Sequence, residues 1–213
     1  MRAAVLDAFF PFTDTFEGNL GFMYLDRVGL VTTGRGHLMD PLPGYAGSMG
    51  WAKPDGTPAT GNDISAEWLR IKALQSIRDQ GGMAYKKYAT LFLSPADVDR
   101  LTIGKRDTLW AQFRARPCFR DCETWPADAQ LGGLSMCWAM GAGFDFPKFA
   151  YAASQRDWRT CAAECEATQF PRPVQRNAAN KTLFNNAKFA ELVGDFETLS
   201  YPKVLMPAAG GGV

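Results

Sequence analysis

From Ser94 onward the chain reads as helix almost without interruption, and that run limits the fold more than any other feature. Ser94-Pro95 sets a capping hydroxyl before a proline at the first helical position, and ADVDRL carries the helix on to about Arg114. Residues 127–141, 147–152, 155–167, 173–187 and 188–193 keep the helical pattern. Upstream the character changes. Residues 1–16 read as a short helix, but 22–40, FMYLDRVGLVTTGRGHLMD, are rich in β-branched and aromatic residues punctuated by Gly29, Gly34 and Gly36. That composition predicts a small hairpin. Residues 41–63 carry Pro41, Pro43, Pro54 and Pro58 and read as loop; a helix is expected over 64–79, with Ile64, Trp68, Ile71, Leu74 and Ile77 on one face. The expected fold is therefore α+β and mainly helical. A small hairpin-containing N-terminal lobe spans about 10–93, with an insertion at 41–93. An interlobe helix follows at 94–114, then a larger helical lobe at 115–200 and a tail at 201–213 whose end, MPAAGGGV, is expected to fray.

Composition narrows the function classes. At 213 residues the chain holds one good-sized domain or two small lobes. Apolar residues at 46% and charged residues at 21% exclude disordered and fibrous classes. No stretch approaches the ~18 consecutive apolar residues of a membrane helix. Asp7 and Pro11 interrupt the N-terminus before a signal-peptide core of ~7–15 apolar residues can form. The expectation is synthesis in the cytoplasm without a conventional secretory signal. With 23 Lys+Arg against 22 Asp+Glu, the chain lacks the positive field of a dedicated nucleic-acid binder.

The five cysteines are too few for a disulfide scaffold, and an odd count leaves one unpaired within a monomer. Cys118 and Cys122 are four apart, as are Cys161 and Cys165, with Cys137 alone. Three readings stay open: a four-thiolate zinc site, disulfides, or buried free thiols. The free-thiol reading is favoured, so no metal and no cofactor is expected. Catalytic cysteine chemistry would need His37, the single histidine, as its base.

Two acids stand out near the N-terminus. Glu17 ends the first helical stretch, Asp26 follows nine residues later just before the turn at Gly29, and Thr32 lies six beyond. Glycosidic cleavage needs one carboxyl held protonated to donate to the leaving oxygen. A second, ionised, activates water or stabilises positive charge on the sugar. A helix end and a strand give the two acids different solvation, which separates their pKa values. By spacing alone the pair is one of many in a chain with 22 acids.

The surrounding string sharpens it. Residues 17–37, EGNLGFMYLDRVGLVTTGRGH, closely resemble the active-site segment of phage-type lysozymes: the Glu-Gly pair, Tyr-x-Asp, the turn glycine, the threonine and Gly-x-Gly-His stand in register without a gap. The resemblance implies a lysozyme-like domain with two lobes across a cleft, Glu17 as proton donor, Asp26 as the second carboxyl and Thr32 as a hydroxyl that holds the attacking water. Thr33 is the adjacent alternative. The pattern implies that His37 is structural and paired to an acid, with Asp107 as the candidate. Gly34 and Gly36 are expected to let sugar approach the backbone.

LSMCWAMGAGF (134–144) resembles the family's central helix more faintly. Trp138 there and Leu38 after His37 match substrate-contacting positions, although Trp138 reads equally as core. Ala139 replaces the usual polar residue. Residues 156–167 and 171–184 match the closing helices, but Asn177 and Asn180 stand where a second Arg and a Glu are usual, so a common salt-bridge cluster beside Arg176 is expected to be absent or rebuilt. Residues 41–93 have no counterpart in the smallest members, and read as surface decoration, a lid or a docking element.

These features imply a monomeric muramidase that hydrolyses the β-1,4 bond between N-acetylmuramic acid and N-acetylglucosamine. Its substrate would be peptidoglycan, reached in the periplasm or wall of a host or target bacterium, as a phage endolysin or an antibacterial effector. The partners that fit are delivery machinery and an immunity or inhibitor protein, with no nucleic acid and no membrane. Two rivals stay open: a lytic transglycosylase, which manages with a single Glu, and a non-catalytic wall-binding or virion module of the same fold.

Overall fold

A computed structural model of the chain describes residues 1–168 and 173–205, so the expectation for MPAAGGGV lies outside the described residues. Those residues form a mainly helical α+β protein whose one sheet is antiparallel and three-stranded. They divide into two compact units. One is Glu17–Lys105; the other is Met1–Phe16 together with the chain from Arg106 onward. The first helix is thus counted with the helical unit, and the strand-bearing unit begins at Glu17 rather than near residue 10.

In the strand-bearing unit, β1 (Leu20–Leu25), β2 (Val31–Gly34) and β3 (His37–Leu38) pair in chain order. Tyr24 lies opposite Thr32 and Leu25 opposite Val31. The β1–β2 loop, residues 26–30, is closed by Asp26 N to Leu30 O at 2.9 Å and Gly29 N to Asp26 O at 3.0 Å. Gly29 sits at φ 83°, the left-handed position that such loops demand. Residues 22–25 and 31–34 are all buried, so both faces of the hairpin are covered. A lone hairpin cannot do that.

The cover comes from residues 41–93. Met49, Trp51, Ile64, Ile71, Tyr85, Leu91 and Leu93 share one core with Phe22, Met23, Leu25 and Val31. This segment is structural substance rather than decoration. Its helix α2 runs Gly61–Ala73, not 64–79. It starts early because Thr60 and Asp63 form a reciprocal capping box. It stops early because the Lys72 carbonyl accepts from the Gln75 side chain (3.0 Å) and the Leu74 carbonyl from the Tyr85 hydroxyl (3.1 Å). Two 3-10 turns follow, Gln75–Gln80 and Gly82–Tyr88. Helix α3 runs Pro95–Arg114, capped as expected by Ser94, whose Oγ accepts from Asp97 N at 3.1 Å.

The helical unit contains α1 (Ala3–Asp14), α4 (Ala127–Met140), α5 (Pro147–Ser154), α6 (Trp158–Glu164) and α7 (Val174–Val193). The 173–187 and 188–193 segments are one helix, which ends where Gly194 turns to φ 73°. Every residue from Ala127 to Trp138 is buried, as befits a central helix packed on all sides. Around it Phe113, Phe119, Trp125, Phe144, Phe149, Trp158 and Phe184 form a continuous aromatic core, with Phe113 and Phe119 stacked at 4.2 Å. Buried Asp128 accepts from Ser200 N, Tyr201 N and Asn186 Nδ2 at 2.8–3.1 Å and so fastens the segment after α7. Arg176 is buried over the Phe16 ring at 4.7 Å, and Asn177 bonds both backbone groups of Ala167. All five cysteines are free thiols, and burial pushes those of Cys122, Cys137 and Cys165 up to about 12.

Candidate active site

The hairpin fixes one of the two acids. Its loop folds back on Asp26, whose Oδ1 accepts from Val28 N at 3.0 Å and Leu30 N at 2.8 Å. These two amides fix the plane of the carboxylate and leave Oδ2 clear of the loop's own hydrogen bonds. Glu17 stands half-buried on the approach to β1. Tyr24 is close enough to both acids to be affected by their charge. Its phenol is held well above its ordinary pKa, first by burial and then by the negative charges of Glu17 and Asp26, while the Gly36 amide donates to its oxygen. A buried phenol with its pKa so raised stays protonated.

Strand register brings the hydroxyl to the same place. Thr32 is directly opposite Tyr24, and side chains of opposed residues share a face. Thr32 is 5% exposed, and its Oγ1 donates to Leu30 O at 3.3 Å, which leaves its lone pairs for another donor. Thr33 points to the other face and is fully buried, with its hydroxyl directed at Phe22 O (3.1 Å) and Leu20 O (3.4 Å). Alternation therefore sets Thr32, and not Thr33, beside the tyrosine. Leu38 lies opposite Thr32 on β3 and is half exposed. Trp138 belongs to the helical unit, where it is 6% exposed and meets Phe9 edge-on at 5.3 Å. Four of the five expected site residues thus fall within one unit.

The partner of His37 is not the expected acid. Nε2 lies 3.2 Å from the Tyr45 hydroxyl, whereas Asp107 pairs with Arg106 at 2.8 Å. Burial, reinforced by the nearby Lys105 ammonium, lowers its pKa to about 4, so the ring is neutral at neutral pH. It cannot serve as a general acid near pH 7. Gly34, expected to open the backbone to sugar, instead closes on Val98, whose Cγ1 would lie 3.3 Å from an added Cβ.

The supports of this site come from far along the chain. Lys72 Nζ and Gln75 Nε2 both donate to Gly29 O, at 2.9 and 3.2 Å, and Lys72 also pairs with Asp40. Gly29 belongs to the loop that holds Asp26, so α2 clamps the second carboxylate by way of that turn. Gly29 faces Gln75 so closely that a Cβ would lie 2.4 Å from its Oε1. Neither the clamp nor Tyr24 is singled out by sequence reasoning. The Tyr-x-Asp spacing is a usable signal for the tyrosine, since residues two apart on a strand share a face.

Among the described residues, no three His, Cys, Asp or Glu side chains converge to hold a metal ion, and no helix is long and apolar enough to cross a membrane. No family model matches the chain, and no curated protein matches it.

Proposed function

We propose that the chain is a muramidase that hydrolyses the β-1,4 bond between N-acetylmuramic acid and N-acetylglucosamine in bacterial peptidoglycan. The observation that carries this reading is that Glu17, Asp26 and Thr32 fall in one compact unit, where both carboxylates raise the pKa of buried Tyr24, the residue directly opposite Thr32. Glu17 is the donor to the glycosidic oxygen. Asp26 keeps Oδ2 for a water, and Thr32 accepts from that same water, which aligns it for attack at the anomeric carbon. Negative charge on Asp26 also stabilises the oxocarbenium-like transition state. A transglycosylase needs only the donor, so the presence of Asp26 and Thr32 as well favours hydrolysis. Leu38, half exposed on β3 opposite Thr32, would contact sugar.

Glu17→Gln tests the reading. Loss of the acid is expected to lower wall clearing by ~10²–10⁴-fold, because that is what general acid catalysis is worth. Circular dichroism and the melting temperature should be unchanged. Clearing within tenfold of wild type would remove Glu17 from the chemistry, and no clearing by the wild type would favour a non-catalytic wall-binding module.

A further inference from the structure

Tyr24 is held both along its ring and at its hydroxyl. It stands directly opposite Thr32 in the β1–β2 register and keeps 9% of its surface exposed. One side of the ring is closed by the 3-10 turn Gly82–Tyr88, where a Cβ on Gly82 would lie 3.0 Å from Tyr24 Cδ2 and 3.3 Å from its Cε2. Tyr85, fully buried and bonded to Leu74 O at 3.1 Å, fixes that turn. At the phenol end, the Gly36 N–H donates to the oxygen. Gly36 is itself anchored: its carbonyl accepts from Lys105 Nζ at 2.7 Å, and its φ of 69° lies in the left-handed region that favours glycine.

A phenol both accepts and donates. Gly36 uses the accepting side, while the O–H proton of Tyr24 meets no acceptor among the described residues. A buried donor without an acceptor is costly, so a ligand that supplies the acceptor is favoured there. The phenol stays a donor over the working range, because burial and then the charges of Glu17 and Asp26 hold its pKa well above the ordinary value. The same two charges select the acceptor. They disfavour an anionic ligand group and suit a neutral oxygen, such as a sugar hydroxyl or an acetamido carbonyl.

We propose that Tyr24 is a substrate-binding residue whose hydroxyl, aimed by Gly36 and the Gly82–Tyr88 turn, donates to a neutral oxygen of the glycan bound at Glu17 and Asp26. The proposal rests on the muramidase reading, which brings glycan to those acids. The hydrogen bond is made to the ground state and the transition state alike, so it supports binding and leaves the chemical step unchanged. Because the acceptor carries no charge, the contact is insensitive to salt.

Tyr24→Phe tests it, since the ring is kept and the O–H removed. In a Glu17→Gln parent, which does not digest its ligand, calorimetry measures affinity for a soluble, stem-free tetrasaccharide of alternating N-acetylglucosamine and N-acetylmuramic acid. Tyr24→Phe should weaken binding about three- to tenfold, equally at low and high salt. With Glu17 intact, KM should rise by the same factor while kcat stays within about twofold. Tyr24→Phe also leaves the Gly36 amide without its acceptor, so Lys105→Met, which loosens Gly36 and keeps the O–H, is the control and should weaken binding less. Unchanged affinity in Tyr24→Phe would overturn the proposal, as would an equal loss in Lys105→Met, or a fall in kcat at constant affinity. Wild-type protein that clears no wall, with tetrasaccharide binding still dependent on Tyr24, would instead overturn the muramidase reading and keep the contact.

Discussion

The helical unit is held by rings packed on rings, whereas the strand-bearing unit adds to its apolar core a set of side chains that reach far along the chain to fix its turns. In the first, Phe113 alone meets Trp110, Phe119, Trp125 and Phe144. In the second, Lys72 and Gln75 hold Gly29 O, Arg35 ties the β2–β3 turn to Asp99 at 2.7 Å, and Lys105 holds Gly36 O at 2.7 Å. Apolar burial is non-directional and stabilises a unit as a whole. Hydrogen bonds to particular carbonyls contribute less net free energy but fix position. The acids stand in the unit built for position.

That contrast sets an order of effects. Phe113→Ala should be the most damaging, at ~3–5 kcal/mol, because it empties the centre of an aromatic core that cannot collapse to fill it. Urea unfolding followed by tryptophan fluorescence measures it; a cost below about 1 kcal/mol would mean that the core is looser than its stacking implies. Lys72→Met should cost only ~1–2 kcal/mol by the same measurement, since the methionine retains the aliphatic packing and loses two polar contacts. Its effect on wall clearing should be the larger one, as the loop that orients Asp26 is freed. Activity that falls no further than stability would break the distinction between the two units.

His37 gives the smallest effect and a definite sign. A folded-state pKa of about 4, against 6.5 for an ordinary histidine, means that folding favours the neutral ring. The stability this contributes is fully present above about pH 6.5 and is lost as pH falls from there through 4. Between pH 7 and pH 5 wild type should therefore lose more stability than His37→Gln. Parallel losses would show that another group governs the acid limb.

Much of the helical structure is legible in the sequence because the helices bury apolar residues at helical spacing. Ser94-Pro95 opens α3 where expected, and residues 127–141 frame α4 to within a residue. The strand-bearing unit is legible only in part. Its hairpin, its turn glycine and the series Glu17, Asp26, Thr32 stand in one short string, so local spacing reveals them. What covers the hairpin cannot be seen in that way. Periodicity carries Leu74 and Ile77 into α2, yet the helix stops where Gln75 and Tyr85 take its last carbonyls, and those bonds depend on tertiary position. The partner of His37 is missed for the same reason: Tyr45 is eight residues away in a proline-rich stretch with no pattern to mark it.

In the proposed muramidase reaction, water held by Asp26 and Thr32 displaces the sugar in a single step as Glu17 donates its proton. The most direct test is NMR of the first-formed product from purified peptidoglycan, recorded before mutarotation. A reducing end formed as the α-anomer, with inversion, is expected from attack by water on the face opposite the leaving group. A β-anomer would contradict the single displacement, and a 1,6-anhydro end would show that the enzyme is a transglycosylase in which Asp26 holds no attacking water.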